Sequence, residues 1–246
     1  GLMRTAGRDV SGWILWNTPD GQSSLGVAPD SFATMIALTD KWRRRYCPDT
    51  PLILGGLSRD TALPYLADLV KEGALTNFSG VNLRLDAGVI SPEDSRIPEF
   101  VGELQMALNT TNDKKKILIT DLDWAVEKQS SGVNAFDQAA FLSRAALLLS
   151  PLGVNPTLVL QNDETSRLGF GLLYKKSLSA PPLTQVLPTF HFKPAWWGMV
   201  RVKQFLHQMQ DLTAITVQDV VPGKTRCLLG KQMPDGTPVA VIWRNN

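Results

Sequence analysis

Short apolar runs alternate with longer amphipathic stretches through most of this chain, and this alternation limits the possible folds more than any other feature. Five runs have the length and composition of strands, and apolar residues at helical spacing fill the stretches between them. The strand-like runs are residues 12–17 (GWILWN), 51–56 (PLILGG), 81–85 (VNLRL), 116–120 (KILIT) and 157–160 (TLVL). Strands that alternate with helices of about 10–15 residues predict an α/β fold with a parallel sheet, either open or closed into a barrel.

Helix boundaries are indicated by capping residues and helix breakers. Asp30 and Ser31 both have side chains that cap helix starts, so one of them is predicted to be the N-cap of the first helix. Gly73 is predicted to stop the second helix, because glycine readily adopts the left-handed conformation that ends helices. Four predicted helices cover approximately 30–46, 60–72, 136–149 and 194–210. A further helix has its start signals at residues 91–94 (SPED), and its apolar face consists of Ile97, Phe100, Val101, Leu104 and Leu108.

The pattern changes after Ser177, where a proline-containing loop precedes the last predicted helix. Short strands then follow over 213–243, and residues 233–237 (MPDGT) predict a hairpin turn. We therefore predict a body over 1–210 and the start of a small antiparallel β domain over 211–246. The sequence ends within the predicted hairpin, so we expect it to be a portion of a longer protein.

Composition excludes several classes of function. Of the 246 residues, 43% are hydrophobic and 20% charged, which is typical of a globular protein rather than a disordered one. The formal charge of +2 gives no indication of nucleic-acid binding, and no apolar run is long enough to predict a membrane span. With two cysteines and two histidines, neither a disulfide framework nor a zinc or histidine metal site is expected. We predict no cofactor and no metal.

Polar side chains follow the strand-like runs, at the carboxyl ends where parallel α/β folds bind ligands. Amides and carboxylates match the hydroxyl groups of sugars, and an indole face can stack on a sugar ring. The alternative is that these short polar residues only cap the helices that follow. The residues concerned are Asn17, Thr18 and Asp20, then Arg84 and Asp86, then Asp121, Asp123 and Trp124, and finally Gln161 and Asn162.

Several segments, in order along nearly the whole chain, resemble clan A glycoside hydrolases, the (βα)8-barrel family that includes cellulases and xylosidases. Residues 13–20 (WILWNTPD) resemble the fourth-strand motif W-x-x-W-N-E-P-D, and 117–124 (ILITDLDW) resemble the seventh-strand motif T-E-x-G-W. Residues 192–197 (FKPAWW) are similar to the family's K-P-A-Y-Y helix start, and the final hairpin is similar to its accessory β domain. The resemblance implies TIM-barrel-like βα units matching strands four to eight, a carbohydrate ligand, and an extracellular or cell-surface location.

The positions that carry catalysis in that family differ here. Retaining glycosidases need two carboxylates about 5–5.5 Å apart, one as acid/base and one as nucleophile. Thr18 aligns with the family's acid/base glutamate, and Asp121, one methylene shorter, aligns with its nucleophile. Arg84 and Asp86 align with the family's histidine and tyrosine, and Asp123 aligns with the glycine of T-E-x-G-W.

No part of the sequence corresponds to the first three barrel strands. A (βα)8 barrel needs about 250 residues before any extra domain. Five strands alone would leave two unpaired edges and an open interior. We therefore expect the body to be incomplete at its N-terminus, and the barrel to be completed by a missing upstream segment or a partner chain; a rearranged sheet is the alternative.

Three functions remain open. The first is a catalytically inactive glycoside-hydrolase-like protein that binds an oligo- or polysaccharide or acts as a scaffold. The second is an active retaining glycosidase using Asp121 or Asp123 with another carboxylate, Asp20 or Asp86, and a raised pKa in that set would favour it. The third is a structural subunit of a larger assembly. Candidate ligand-binding residues are Asn17, Arg84, Asp86, Trp124, Gln161 and Asn162.

Overall fold

The protein is described here by a computed structural model that covers residues 2–6, 9–21, 26–86, 88–109, 114–126, 132–154, 156, 171–175, 190–215 and 224–245. The helices are α1 (Leu2–Ala6), α2 (Pro29–Tyr46), α3 (Arg59–Lys71), α4 (Ile97–Leu108), α5 (Ala135–Leu149) and α6 (Pro194–His207). The strands are β1 (Trp13–Leu15), β2 (Leu52–Ser58), β3 (Gly80–Asp86), β4 (Lys116–Asp123), β5 (Leu173–Lys175), β6 (Phe190–Phe192), β7 (Met209–Ile215), β8 (Thr225–Gln232) and β9 (Thr237–Arg244).

Strands β1 to β4 form a parallel sheet in the order β1-β2-β3-β4, and α2, α3 and α4 connect them in turn. Trp13 pairs with Leu52 and Leu15 with Leu54, so β1 and β2 run side by side in register. Almost every residue of β2 and β3 is buried, because helices and neighbouring strands cover a parallel sheet on both faces. The predicted α/β fold with parallel βα units is confirmed.

A pair of glycines shifts the register between β2 and β3. Leu54 pairs with Val81, whereas Leu57 pairs with Leu83, and Gly55 and Gly56 lie between the two pairs. A Cβ at Gly55 would overlap the carbonyl oxygens at the end of β1. Glycine therefore lets the end of β1 approach the backbone of β2 closely.

The first helix boundary differs from the prediction. Helix α2 begins at Pro29, its N-cap is Ala28, and no side chain caps it, so the prediction of Asp30 or Ser31 as N-cap is wrong. Proline suits the first helical position because it has no N–H that needs a partner there. Gly73 follows α3 with a φ of 72°, which confirms it as the predicted helix stop.

Three further boundaries differ from the sequence-based expectation, and one predicted strand is not tested. Helix α4 begins at Ile97, after the predicted start signals at residues 91–94. Strand β1 covers three residues rather than 12–17, because Trp16 and Thr18 leave the extended conformation with φ values of 68° and 50°. Helix α6 ends at His207, and β7 begins two residues later at Met209. The strand predicted over 157–160 lies outside the described residues.

The C-terminal part contains two antiparallel structures. Strands β7, β8 and β9 form a three-stranded sheet, and β8 and β9 are joined by the predicted hairpin turn. The N–H of Gly236 donates to the carbonyl oxygen of Gln232 at 2.8 Å in that turn. Strands β5 and β6 form a separate antiparallel pair that was not predicted. The expectation of a small antiparallel β domain after the α/β part is confirmed.

Contacts divide the chain into two compact units. The first comprises Gly1–Leu85 and Glu99–Asp121, and the second comprises Asp86–Pro98 and Leu122–Asn246. The core of the first unit includes Phe32, Leu54 and Leu83, and that of the second includes Leu142, Leu149 and Met199. The predicted boundary between a body ending at 210 and a β domain from 211 stays a prediction. None of the helices in the described ranges is long and apolar enough to cross a membrane.

Candidate functional site

Arg84 and Asp121 form an ion pair at the carboxyl ends of β3 and β4 in the first unit. The Nε of Arg84 donates to Oδ2 of Asp121 at 2.7 Å. The side chains are 42% and 36% exposed, so solvent and ligands reach both charged groups. A pair this exposed contributes only about 0–1 kcal/mol to folding stability. A contribution to folding stability therefore does not explain why Arg84 and Asp121 are paired.

Gly56 brings a third polar side chain to the same place. A Cβ built on Gly56 would lie 2.7 Å from Cγ and Cδ of Arg84 and 2.8 Å from Oδ1 of Asn17. The aliphatic part of Arg84 and the amide of Asn17 therefore lie side by side over the bare Cα of Gly56. We call Asn17, Gly56, Arg84 and Asp121 the Arg84 cluster. Its three polar members were predicted as site residues, whereas Gly56 was missed, although a glycine within an apolar strand indicates a close approach.

Thr18 follows Asn17 in a tight turn after β1. Its N–H donates to the carbonyl oxygen of Gly56 at 3.2 Å, and its own carbonyl accepts from Gly21 at 3.1 Å. The φ of 50° is rare for a residue other than glycine. The turn thus fixes a half-buried threonine at the end of β1, where the resemblance implies an acid/base group. A hydroxyl group cannot replace a carboxylic acid as proton donor near neutral pH.

Asp20 accepts hydrogen bonds from residues at the start of α3. Its buried carboxylate accepts from the N–H of Ser58 at 2.8 Å and from the hydroxyl of Thr61 at 2.6 Å. A carboxylate at a helix N-terminus satisfies free N–H groups and interacts favourably with the helix dipole. Burial, and then the negative charge of Asp20, raise the pKa of the nearby Tyr65 hydroxyl. These contacts correspond to the helix-capping alternative for Asp20.

Asp123 belongs to the second unit, and donors surround its carboxylate. One oxygen accepts from the N–H of Trp124 at 2.8 Å and from Nε2 of Gln138 at 3.0 Å, and the other accepts from the N–H of Gly171. Burial raises the pKa of Asp123, and the hydrogen bonds and the charge of Lys193 oppose this rise only in part. The raised pKa is the property sought in a catalytic acid, but the carboxylate is already engaged by three donors.

Gln138 is a fully buried residue of α5 that was not predicted. Its Nε2 also donates to the carbonyl oxygen of Trp124 at 2.7 Å, which joins α5 to the end of β4. Its own Oε1 is buried and has no hydrogen-bond partner among the described residues. Gln138 occupies the same helical stripe as the buried residues Leu142, Ala145 and Leu149. A polar residue in an apolar stripe is the signal that would have identified it.

Trp124 was predicted as a platform for stacking on a sugar ring. Its side chain is 0% exposed, and its Nε1 donates to the carbonyl oxygen of Ile90 at 2.7 Å. The indole also packs edge-on against Phe141, with ring centroids 5.6 Å apart. A stacking platform needs an uncovered ring face, which this packing does not provide. The role of Trp124 toward a sugar stays a prediction.

For the remaining residues predicted at the site, the structure does not describe the side chains. Asp86 is the last residue of β3, and its side chain lies outside the described part of the structure. Gln161 and Asn162 lie outside the described residues altogether. Their roles as ligand-binding residues stay predictions.

Comparison with known proteins shows a similarity of fold. No protein-family model matches the sequence, and no curated protein matches it significantly. The chain is similar to the crystal structure of an α-L-arabinofuranosidase from Thermotoga maritima in complex with arabinose, with a TM-score of 0.56 and 12% sequence identity. The alignment covers 89% of this chain and 51% of that one, so the chain spans about half the length of the structure that it matches. The likeness supports a glycoside-hydrolase-like α/β fold.

Proposed function

We propose that this chain is a glycoside-hydrolase-like protein that binds an oligo- or polysaccharide without hydrolysing it. The observation that carries the proposal is the exposed ion pair between Arg84 and Asp121, next to Asn17, at the carboxyl ends of the parallel strands. Ligands of parallel α/β folds bind at this end of the sheet. The arabinose-bound state of the similar structure is consistent with a sugar as ligand.

The Arg84 cluster provides complementary hydrogen-bonding groups for sugar hydroxyls. The carboxylate of Asp121 accepts hydrogen bonds, the guanidinium of Arg84 donates them, and the amide of Asn17 does both. Hydrogen bonds to charged groups are stronger than those between neutral groups. Vicinal hydroxyl groups of one sugar ring can therefore bind the guanidinium and the carboxylate together.

The described carboxylates favour binding over hydrolysis. Asp121 is paired with a guanidinium, Asp20 caps α3, and Asp123 already accepts from three donors. Thr18 has a hydroxyl group where the resemblance implies the acid/base. No described side chain at these strand ends therefore offers the free carboxylic acid that a retaining mechanism requires beside its nucleophile.

Substitution of Gly56 tests the proposed binding site. In Gly56→Ala the added methyl group displaces the side chains of Arg84 and Asn17, so we expect oligosaccharide affinity to fall by about tenfold or more, the equivalent of one lost charge-assisted hydrogen bond. Gly102→Ala in α4 is the matched control, because the added Cβ meets no atom of the described residues within 4 Å. A glycan array selects the ligand and isothermal titration calorimetry measures both variants. Absence of any binding, or equal weakening by both substitutions, would contradict the proposal.

An active retaining glycosidase that uses Asp121 or Asp123 with Asp20 or Asp86 is the second candidate, and the raised pKa of Asp123 favours it. Mass spectrometry of products, after incubation with a panel of oligosaccharides, separates the two candidates. We expect no cleavage by the folded wild-type chain. Cleavage that is lost in Asp121→Ala would replace our proposal with the active enzyme. Neither cleavage nor binding would favour a scaffold or a structural subunit that works with a partner chain.

A further inference from the structure

A cavity of about 770 Å³ lies within the second unit, between the carboxyl-terminal halves of α5 and α6 and the start of β7. Its volume falls in the range of small-molecule sites, which is about 300–1,000 Å³. We call it the α6 cavity and define it by Met199, Lys203 and His207 of α6 and by Met209 and Leu212 of β7. It is separate from the Arg84 cluster, which belongs to the first unit.

One wall of the α6 cavity is apolar. Met199 and Leu206 of α6 and Met209 and Leu212 of β7 form this wall. Methionine side chains adapt to ligands of different shape. Gly230 of β8 makes room for Leu212, because a Cβ at Gly230 would lie 2.8 Å from Cδ2 of Leu212. The wall can therefore pack against the apolar part of a ligand.

Strand β7 is distorted where it borders the cavity. Its pairing with β8 shifts register between Gln210 and Thr213, and Asp211 within this bulge has a φ of 54°. β-bulges redirect side chains and are frequent beside functional sites. Asp211 and Leu212 both line the cavity, so the bulge brings one polar and one apolar side chain to it. The carboxylate of Asp211 lies 3.9 Å from Nζ of Lys231, which offsets its charge.

The α6 side of the cavity carries unengaged donors. Lys203 and His207 are exposed and lie one helical turn apart, and Gln204 is next to them. None of the hydrogen bonds and ion pairs among the described residues involves the side chain of Lys203, Gln204 or His207. The charges of Lys203 and Lys231 outweigh the single carboxylate of Asp211. The cavity is therefore complementary to an anion rather than a cation.

We propose that the α6 cavity binds a small organic carboxylate with an apolar body, such as a medium-chain fatty acid. The carboxylate accepts hydrogen bonds from Lys203 and from Gln204 or His207, and the alkyl chain packs against the apolar wall. Small-molecule sites combine apolar walls with a few polar groups that fix the orientation of the ligand. None of the described lining residues is phenylalanine, tyrosine or tryptophan, so a sugar ring finds no stacking surface among them.

Octanoate is the probe, and protein labelled with ¹³C at the methionine methyl groups reports where it binds. Met199 and Met209 lie in the cavity, whereas Met106 is exposed on α4 in the first unit. In an NMR titration, octanoate should shift the methyl signals of Met199 and Met209 and leave that of Met106 unchanged. We expect 1-octanol, which lacks the charge, to bind about tenfold more weakly, and acetate, which lacks the chain, to bind at least about tenfold more weakly.

Three substitutions test the two parts of the site. Lys203→Met removes the charge and Leu212→Glu places a carboxylate in the apolar wall, so each should lower octanoate affinity by about tenfold or more. Arg201→Met is the matched control, because Arg201 is exposed on the same helix and is not among the described residues that line the cavity. It should leave octanoate affinity unchanged, and circular dichroism checks that all variants fold.

Three outcomes would overturn the proposal. The first is the absence of shifts at Met199 and Met209, or shifts of equal size at Met106. The second is octanoate binding that Lys203→Met and Leu212→Glu leave intact in the folded protein. The third is equal affinity for octanoate and 1-octanol, which would mean that the positive charge contributes nothing to binding.

Discussion

Asp121 and Asp123 are two residues apart on β4, but their surroundings give them different chemistry. Asp121 is exposed and pairs with one guanidinium, so its remaining lone pairs are accessible to a ligand. The carboxylate of Asp123 is largely buried and accepts hydrogen bonds from Trp124, Gln138 and Gly171. Asp121 is therefore accessible to a ligand, whereas the contacts of Asp123 are with neighbouring segments of its own unit.

The raised pKa of Asp123 predicts a pH dependence of stability. A carboxyl group whose pKa is higher in the folded state than in the unfolded state binds protons more readily when folded. Its stabilising contribution is therefore complete below the unfolded value of about 3.9, and it decreases as pH rises through the folded pKa. We expect the free energy of unfolding of wild type, relative to Asp123→Asn, to fall as pH increases over this range.

Urea unfolding at a series of pH values from about 3 to 7 measures this difference. Asp30→Asn serves as the control, because the Asp30 side chain is exposed at the start of α2 and accepts from the N–H of the adjacent Ser31. A wild-type advantage over Asp123→Asn that grows with pH would show that the hydrogen bonds, rather than burial, dominate at Asp123.

At the scale of elements, the segment between β3 and α4 is joined to the end of β9 within the second unit. The amide of Asn245 donates to the hydroxyl oxygen of Ser91 at 3.0 Å and to Oδ2 of Asp94 at 2.9 Å. The Ser91 hydroxyl, and then the Asn245 amide, lower the pKa of Asp94. The end of the antiparallel sheet is thus held by side chains that come much earlier in the chain.

The buried carboxylate of Glu93 also contacts β9. Oε1 of Glu93 accepts from Nε1 of Trp243 at 2.8 Å and lies 3.2 Å from Nε of Arg144. Trp243→Phe keeps an aromatic ring but removes the indole donor, so we expect the free energy of unfolding to fall by about 1–3 kcal/mol.

Chemical denaturation of Trp243→Phe and Trp197→Phe provides the measurement and its control. Trp197 is 58% exposed and packs edge-on against Phe192, and phenylalanine keeps an aromatic ring there, so this replacement should change the free energy of unfolding by no more than about 0.5 kcal/mol. Equal effects of the two substitutions would mean that the hydrogen bond to Glu93 contributes nothing measurable.

Elements with strong local signals were predictable, and contacts between distant residues were not. The apolar runs around β2, β3 and β4 and the glycine after α3 carry their own signals. The pairing of Glu93 with Trp243 joins residues 150 positions apart, and that of Asp20 with Thr61 joins residues 41 apart. No spacing rule connects such pairs, because they meet only when the tertiary fold forms. For the same reason, the sequence indicated that Asn17, Arg84 and Asp121 share one end of the sheet but not that Gly56 brings Asn17 and Arg84 together.

At the scale of the whole molecule, the likeness to a glycoside hydrolase constrains the fold and leaves the function to the site. One scaffold supports many activities, so a match over about half of a longer structure does not transfer that structure's activity. The proposed sugar site lies in the first unit, whereas the engaged carboxylates of Asp123 and Glu93 lie in the second. Experiments that report on each unit separately are therefore informative.

The two cysteines provide such a report, because one thiol lies in each unit. Cys47 belongs to the first unit and Cys227 to the second, and both are buried and free of disulfides. In the single-cysteine variants Cys47→Ala and Cys227→Ala, we expect the remaining thiol to react with Ellman's reagent at least about 100-fold more slowly in the native protein than in urea, because reaction requires local opening. Fast labelling of one thiol beside slow labelling of the other would contradict this expectation and would identify the unit that opens by itself.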